Sequence, residues 1–120
     1  MRTDRFIPFR ADMLAEVRAG RKTMTTRNKR YGDVGDHLSA VGGNFDERHA
    51  DPHPELHPRI RLVAVERMPL CLVAERFYAQ EGVASPQAFR DAWAEIHPGR
   101  GWTPELRVWV HTFALVEDVP

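Results

Sequence analysis

Apolar positions along this 120-residue chain switch between two periods. A period of two marks strands. Residues 59–68 alternate, with Ile60, Leu62 and Val65 set among charges. Residues 107–116 set Val108, Val110, Thr112 and Ala114 against Trp109, His111, Phe113 and Leu115, which predicts a strand with both faces occupied. Shorter strands are predicted at 6–9, where Pro8 favours a sheet edge, at 23–27 and at 37–41. A helical period covers 11–19 through Met13, Leu14 and Val17, and Gly20 stands where a C-terminal glycine stop belongs. Residues 69–80 are helical in pattern and run out at Glu81 and Gly82. Ser85 and Pro86 suit the N-cap and first turn of another helix, which runs through Phe89, Trp93 and Ile96 to His97 and Pro98.

The predicted order is therefore β-α-β-β-loop-β-α-α-β. Short strands separated by long connections imply an α+β domain, a compact mixed sheet or small barrel with helices at its side. The length fits one domain spanning 1–120, able to bury a core without disulfides or metal. Residues 42–58 break the pattern. They hold four acidic residues, three histidines and three prolines with little apolar content, and read as an exposed loop.

Composition narrows the function classes. The single Cys71 lies in an apolar run, so it reads as a core thiol in a reducing compartment. The charged start lacks a long apolar stretch, which predicts neither signal peptide nor membrane span, with the cytoplasm as the expected location. Net charge is zero but unevenly spread: residues 1–32 hold nine Lys and Arg against Asp4, Asp12 and Glu16. A neutral chain does not hold long nucleic acid through charge alone. A local basic patch suits a small anionic ligand, or a few phosphates beside one recognised base.

Metal and cofactor signals are weak. His49, His53 and His57 recur every four residues, but Pro52, Pro54 and Pro58 forbid the helix that would align them, and no cysteine stands nearby. A solvated loop is the expectation, with no metal. No dinucleotide or phosphate-loop glycine pattern is present, and no cofactor is expected.

The chemistry concentrates in residues 20–27, GRKTMTTR, followed by Lys29 and Arg30. Lys22, Thr25 and Arg27 suit a nucleophilic site, an anion-binding site, or the cationic end of a helix leading into an ordinary strand. Strand alternation puts Thr23, Thr25 and Arg27 on one face and Met24 and Thr26 on the other, with Met24 directed to the core. Lys22 is three residues from Thr25, so the two meet only if Lys22 belongs to the turn that Gly20 permits. A lysine amine can then deprotonate a threonine hydroxyl, provided its pKa falls from about 10.4 through burial or neighbouring cations. Arg18, Arg21 and Arg27 are candidates for that role. A carboxylate would complete an acyl-transfer set, and spacing does not choose among those present.

The segment from Gly20 to Arg27, with Gly35-Asp36 after it, resembles the signature of the ASCH domain family. The resemblance extends to Glu81-Gly82, to Ser85 through Trp93 and His97-Pro98, and to the aromatic strand ending near Phe113, covering roughly residues 6–117 apart from the loop. It implies a PUA-like β-barrel with flanking helices and an association with RNA. Within that family the chain is similar to small bacterial N(4)-acetylcytidine amidohydrolases, on Lys22, Thr25 and Glu81 with Ala79-Gln80 before it. That likeness implies Thr25 as nucleophile, Lys22 as its base and Glu81 as the acid for the leaving amine, with Arg27 binding substrate or supporting the site. The acidic loop is larger than in those compact enzymes. A second expectation is a binding module for RNA, single-stranded nucleic acid or a modified nucleoside, using Arg21, Arg27, Lys29, Arg30 and Tyr31, with Tyr78 and Trp102 as further stacking candidates. A ribonuclease is a weaker third.

Overall fold

The computed structural model describes residues 6–42 and 57–116. Five strands and three helices follow in order: β1 (Phe6–Phe9), α1 (Ala11–Arg18), β2 (Met24–Arg27), β3 (His37–Gly42), β4 (Arg59–Pro69), α2 (Leu70–Arg76), α3 (Pro86–Ile96) and β5 (Arg107–Leu115). The expected order of elements is the observed one. Most of the predicted loop at 42–58 lies outside the described residues.

The strands form one mixed sheet in the order β1-β3-β4-β5-β2. β1 runs parallel to β3, and every other pairing is antiparallel. Pro8 sits on an edge strand, where its missing N–H costs no ladder bond. The other edge is β2, which pairs only with β5. The fold is α+β, and its two edge strands meet through a side chain, as described below.

Alternation on β5 feeds two cores. Val108 and Val110 join Met24, Met68, Leu70, Val73, Phe89 and Trp93 under α2 and α3. Phe113, on the other face, joins Ile7, Phe9, Leu38, Ile60 and Leu62, with Val17 supplied by α1. Burying a side chain of this size contributes about 1.5–3 kcal/mol relative to exposure. The sheet is thus covered on both faces, which is why β5 carries apolar residues at positions of both parities.

Three helix ends position the site. α1 stops at Gly20, whose φ of 78° releases the chain into the turn carrying Lys22. The Ser85 hydroxyl of the α3 N-cap accepts the Ala88 amide at 3.0 Å, with Pro86 in the first turn. α2 ends at Arg76, four residues short of the expected 80. Phe77 leaves helical geometry at φ −123°, and residues 77–82 form successive turns closed by Glu81 N–H to the Phe77 carbonyl and Gly82 N–H to the Ala79 carbonyl. Those turns aim Glu81 back toward β2, which a continued helix would not do.

Candidate active site at the edge of the sheet

A cavity of about 430 Å³ opens between β2, the β1–α1 junction and α3. Lys22, Thr25, Thr26, Arg27 and Glu81 line its polar side. Phe9, Met13, Tyr31, Val83, Phe89 and Trp93 supply apolar and aromatic walls. The volume lies within the roughly 300–1,000 Å³ of small-molecule sites.

The backbone brings the distant parts together. The amides of Thr23 and Met24 both donate to the Gln80 carbonyl, at 2.8 and 3.0 Å. Lys22, just before one of these anchor points, and Glu81, just after the other, then face each other. Lys22 Nζ donates to the Glu81 carbonyl at 2.7 Å and to Glu81 Oε1 at 3.3 Å. Thr26 Oγ1 donates to Glu81 Oε2 at 2.7 Å. Both carboxylate oxygens therefore have donors, and Lys22 and Glu81 are each only 5% exposed. Gly82, at φ 89°, lets the turn lie against Lys22: a Cβ there would sit 3.2 Å from Lys22 Cβ.

Burial holds the Lys22 pKa below the ordinary lysine value; Glu81 opposes that shift, and the Arg27 charge adds to it. Of the three arginines expected to depress the amine, Arg27 is thus a contributor, and desolvation outweighs it. Arg21 is turned away, paired with Glu16 at 2.6 Å on the exposed end of α1.

Thr25 and Thr26 divide differently from the simplest expectation. Thr25 Oγ1 accepts a hydrogen bond from Arg27 Nε at 3.0 Å, as two residues sharing a strand face should. Thr26, on the opposite face with the core residue Met24, is the one that touches Glu81. All three residues expected to act together, Lys22, Thr25 and Glu81, nevertheless line the same cavity.

Arg27 is held on every side. Its Nη2 donates to the Pro8 carbonyl at 2.6 Å, and its guanidinium lies 4.8 Å from the Phe9 ring centroid and 5.3 Å from that of Tyr31. Such cation–π packing is stronger when desolvated. Burial lowers the Arg27 pKa, with Tyr31 and Glu81 acting against it; an arginine remains charged regardless. Lys29 and Tyr31 also line the cavity, with Lys29 Nζ 4.7 Å from the Tyr31 centroid. Arg30 does not: it pairs with Asp33 at 2.6 Å and stacks on Trp109 at 5.2 Å. Tyr78 and Trp102 pack on the core under α2 and α3, so neither is a free stacking platform.

Several lining residues escape sequence reasoning. Phe89 and Trp93 read as the apolar stripe of a helix, and only the fold shows that the stripe also walls a cavity. Asn28 Nδ2 meets His97 Nε2 at 3.2 Å across the mouth, and His97 stacks on Trp93 at 4.1 Å. His111 is fully buried on β5 and uses both ring nitrogens on β2 and the segment after it.

Comparison with known proteins is informative at the level of structure. No family model matches the sequence, and no curated protein matches it either. Solved structures do. An ASCH protein from Zymomonas mobilis superimposes with a TM-score of 0.60 at 12% identity, covering 91% of this chain and 65% of that one. The ASCH domain from Lactobacillus crispatus JV V101 gives 0.59 at 13% identity, over 87% and 70%. A DUF984 protein from Enterococcus faecalis V583 gives 0.55 at 20% identity, over 88% and 67%. This chain spans about two thirds of the length of these proteins. The five-stranded sheet with its helices has the fold of these ASCH structures.

Proposed function

We propose that this chain is an ASCH-family protein that takes a cytidine-type nucleoside, free or within RNA, into the edge cavity and hydrolyses the amide of its acylated base. One observation carries the reading: Lys22, Thr25 and Glu81 line a single cavity with aromatic walls, although Glu81 lies 59 positions from Lys22. Phe9, Tyr31, Phe89 and Trp93 suit a flat heterocycle, and the polar side suits an amide under attack.

The chemistry balances with water as the only co-reactant. Thr25 Oγ1 attacks the acyl carbon while Lys22, its amine made less basic by burial, takes the hydroxyl proton. The Arg27 N–H on Thr25 Oγ1 favours the deprotonated hydroxyl that attacks. The Lys22–Glu81 contact offers the proton a route to the leaving exocyclic nitrogen, whose bond to the acyl carbon breaks. Water then cleaves the threonine ester, releasing the carboxylic acid and restoring the hydroxyl. Thr26 keeps Glu81 oriented.

The test is incubation of the protein with N(4)-acetylcytidine while cytidine release is followed. Turnover that falls at least a hundredfold in Lys22→Ala is expected; no turnover in the intact protein, or equal turnover in the variant, sinks the enzymatic reading. A binding module without chemistry is the second reading, favoured by Arg27 and Lys29 lining the cavity beside Tyr31. It expects oligonucleotide binding that weakens with salt and in Lys29→Ala, with no product formed.

A further inference from the structure

The function proposed above uses no histidine, yet His111, on β5 beside the strand that carries Thr25 and Arg27, is a titratable side chain with no exposed surface. Its partners fix its state. Nε2 lies 3.0 Å from the backbone nitrogen of Tyr31, which can only donate. Nδ1 lies 3.3 Å from the carbonyl oxygen of Thr25, which can only accept. One neutral tautomer satisfies both: Nδ1 protonated, Nε2 bare. The ring thus ties together the two ends of residues 25–31, the segment that carries Thr25, Arg27, Lys29 and Tyr31 to the cavity.

We propose that His111 is a positioning residue whose neutral Nδ1–H tautomer holds the cavity wall formed by residues 25–31, so that protonating Nε2 releases that wall. An imidazolium presents N–H at both nitrogens, so Nε2 would face the Tyr31 N–H donor to donor and the bond would be lost. The groups facing the ring oppose that protonation. Arg27 on β2 and Arg30 in the following segment bring positive charge, the Tyr31 ring stands edge-on at 6.0 Å, and Val65, its β4 neighbour in the sheet, is apolar. Burial is the largest influence and lowers the His111 pKa, while its bonds to the Thr25 and Trp109 backbone raise it. The wall is therefore locked at neutral pH and loosens on the acid side.

The test titrates the full chain, labelled with nitrogen-15, from pH 8 to pH 5. The ring nitrogens of His111 should report the Nδ1–H tautomer at pH 8, and the amide signals of Tyr31 and Lys29 should shift with the midpoint at which the ring protonates, below about 6.5. Far-UV circular dichroism should stay unchanged. Cytidine, used as the binding probe, should weaken about tenfold for each pH unit below that midpoint, because only the neutral form is competent. His111→Gln can still accept from Tyr31 but does not titrate, and should remove this pH dependence. An Nε2–H tautomer, a Tyr31 amide indifferent to ring protonation, or global unfolding at the same midpoint would overturn the proposal. The binding arm rests on the nucleoside reading, but the spectroscopic arm does not. A protein that ignores cytidine at every pH would count against the nucleoside reading while the tautomer and the Tyr31 amide still decide the role of His111.

Discussion

Arg27 reaches from β2 to the carbonyl oxygen of Pro8 on β1, 2.6 Å away, and so joins the two edges of the sheet that share no backbone ladder. Because β1 is an edge strand, the Pro8 carbonyl is open to a side chain on the side without a neighbouring strand. The guanidinium meets Thr25 with one nitrogen and Pro8 with another. A lysine in its place has one nitrogen and no planar face to lie between Phe9 and Tyr31. Arg27→Lys should lower stability by about 1–3 kcal/mol through the lost charged hydrogen bonds, read as a drop in the midpoint of denaturant unfolding, and should also reduce turnover.

The buried Lys22–Glu81 pair predicts strong asymmetry between single and double substitution. Glu81→Gln or Lys22→Met alone leaves a buried charge without its partner, at a cost of about 3–5 kcal/mol. Changing both should cost less than the sum of the two. A double-mutant cycle on unfolding free energies measures the difference, and strict additivity would contradict the contact.

Acid–base behaviour follows from the same pair. The folded Lys22 amine holds its proton more weakly than the unfolded one, so the unfolded state binds more protons between the two pKa values. Stability from this group therefore rises with pH through the folded pKa, up to the unfolded value near 10.4. Turnover should rise up to the folded pKa and level off above it, since the neutral amine is the base. Lys22→Met should remove both slopes, visible in unfolding midpoints and in kcat/KM against pH.

Two glycines with positive φ separate backbone strain from damage to the site. Gly20 at φ 78° has nothing within 4 Å of where a Cβ would stand, so Gly20→Ala should cost about 1–2 kcal/mol from its left-handed backbone alone. Gly82→Ala adds a methyl 3.2 Å from Lys22 Cβ. It should cost at least as much and also weaken cytidine binding, which Gly20→Ala should leave near wild type. Calorimetric titration of both variants checks the contrast.

The two threonines are separable by kinetics. Thr25→Val removes the nucleophile and should abolish turnover, while Thr25→Ser retains part of it. Thr26→Val only frees Glu81 to misalign, for a loss on the order of a hundredfold. Single-turnover assays on the three variants decide, and the reverse ranking would make Thr26 the nucleophile.

Local rules made much of the fold legible. Ser85 and Pro86 announced α3 because capping and a fixed proline φ are decided within one turn. Placing Lys22 in a turn also followed from local chemistry, since Gly20 ends α1 and three-residue spacing excludes a shared strand face. Glu81 is another matter: spacing offered no reason to prefer it, and only family resemblance singled it out. Its position depends on α2 ending at Arg76 and on turns that the helical pattern of 77–80 conceals. The contact between Thr26 and Glu81 was equally hidden, because alternation assigns faces without saying what packs against each. His111 looked like one more position in an alternating strand until pairing with Thr25 gave its ring two partners.

The sheet order also says when the site can come into being. Among the described residues β5 is the last strand in chain order, yet it lies between β4 and β2 and alone pairs with β2. Until residues 107–115 are in place, β2 has no sheet to join, and Thr25, Thr26 and Arg27 have no fixed geometry. Closing Lys22 onto Glu81 requires a further long loop, and such non-local closures come at an entropic cost that slows folding. A chain still emerging from synthesis would thus carry every residue of the site but none of its chemistry, and the cavity would appear only as β5 docks.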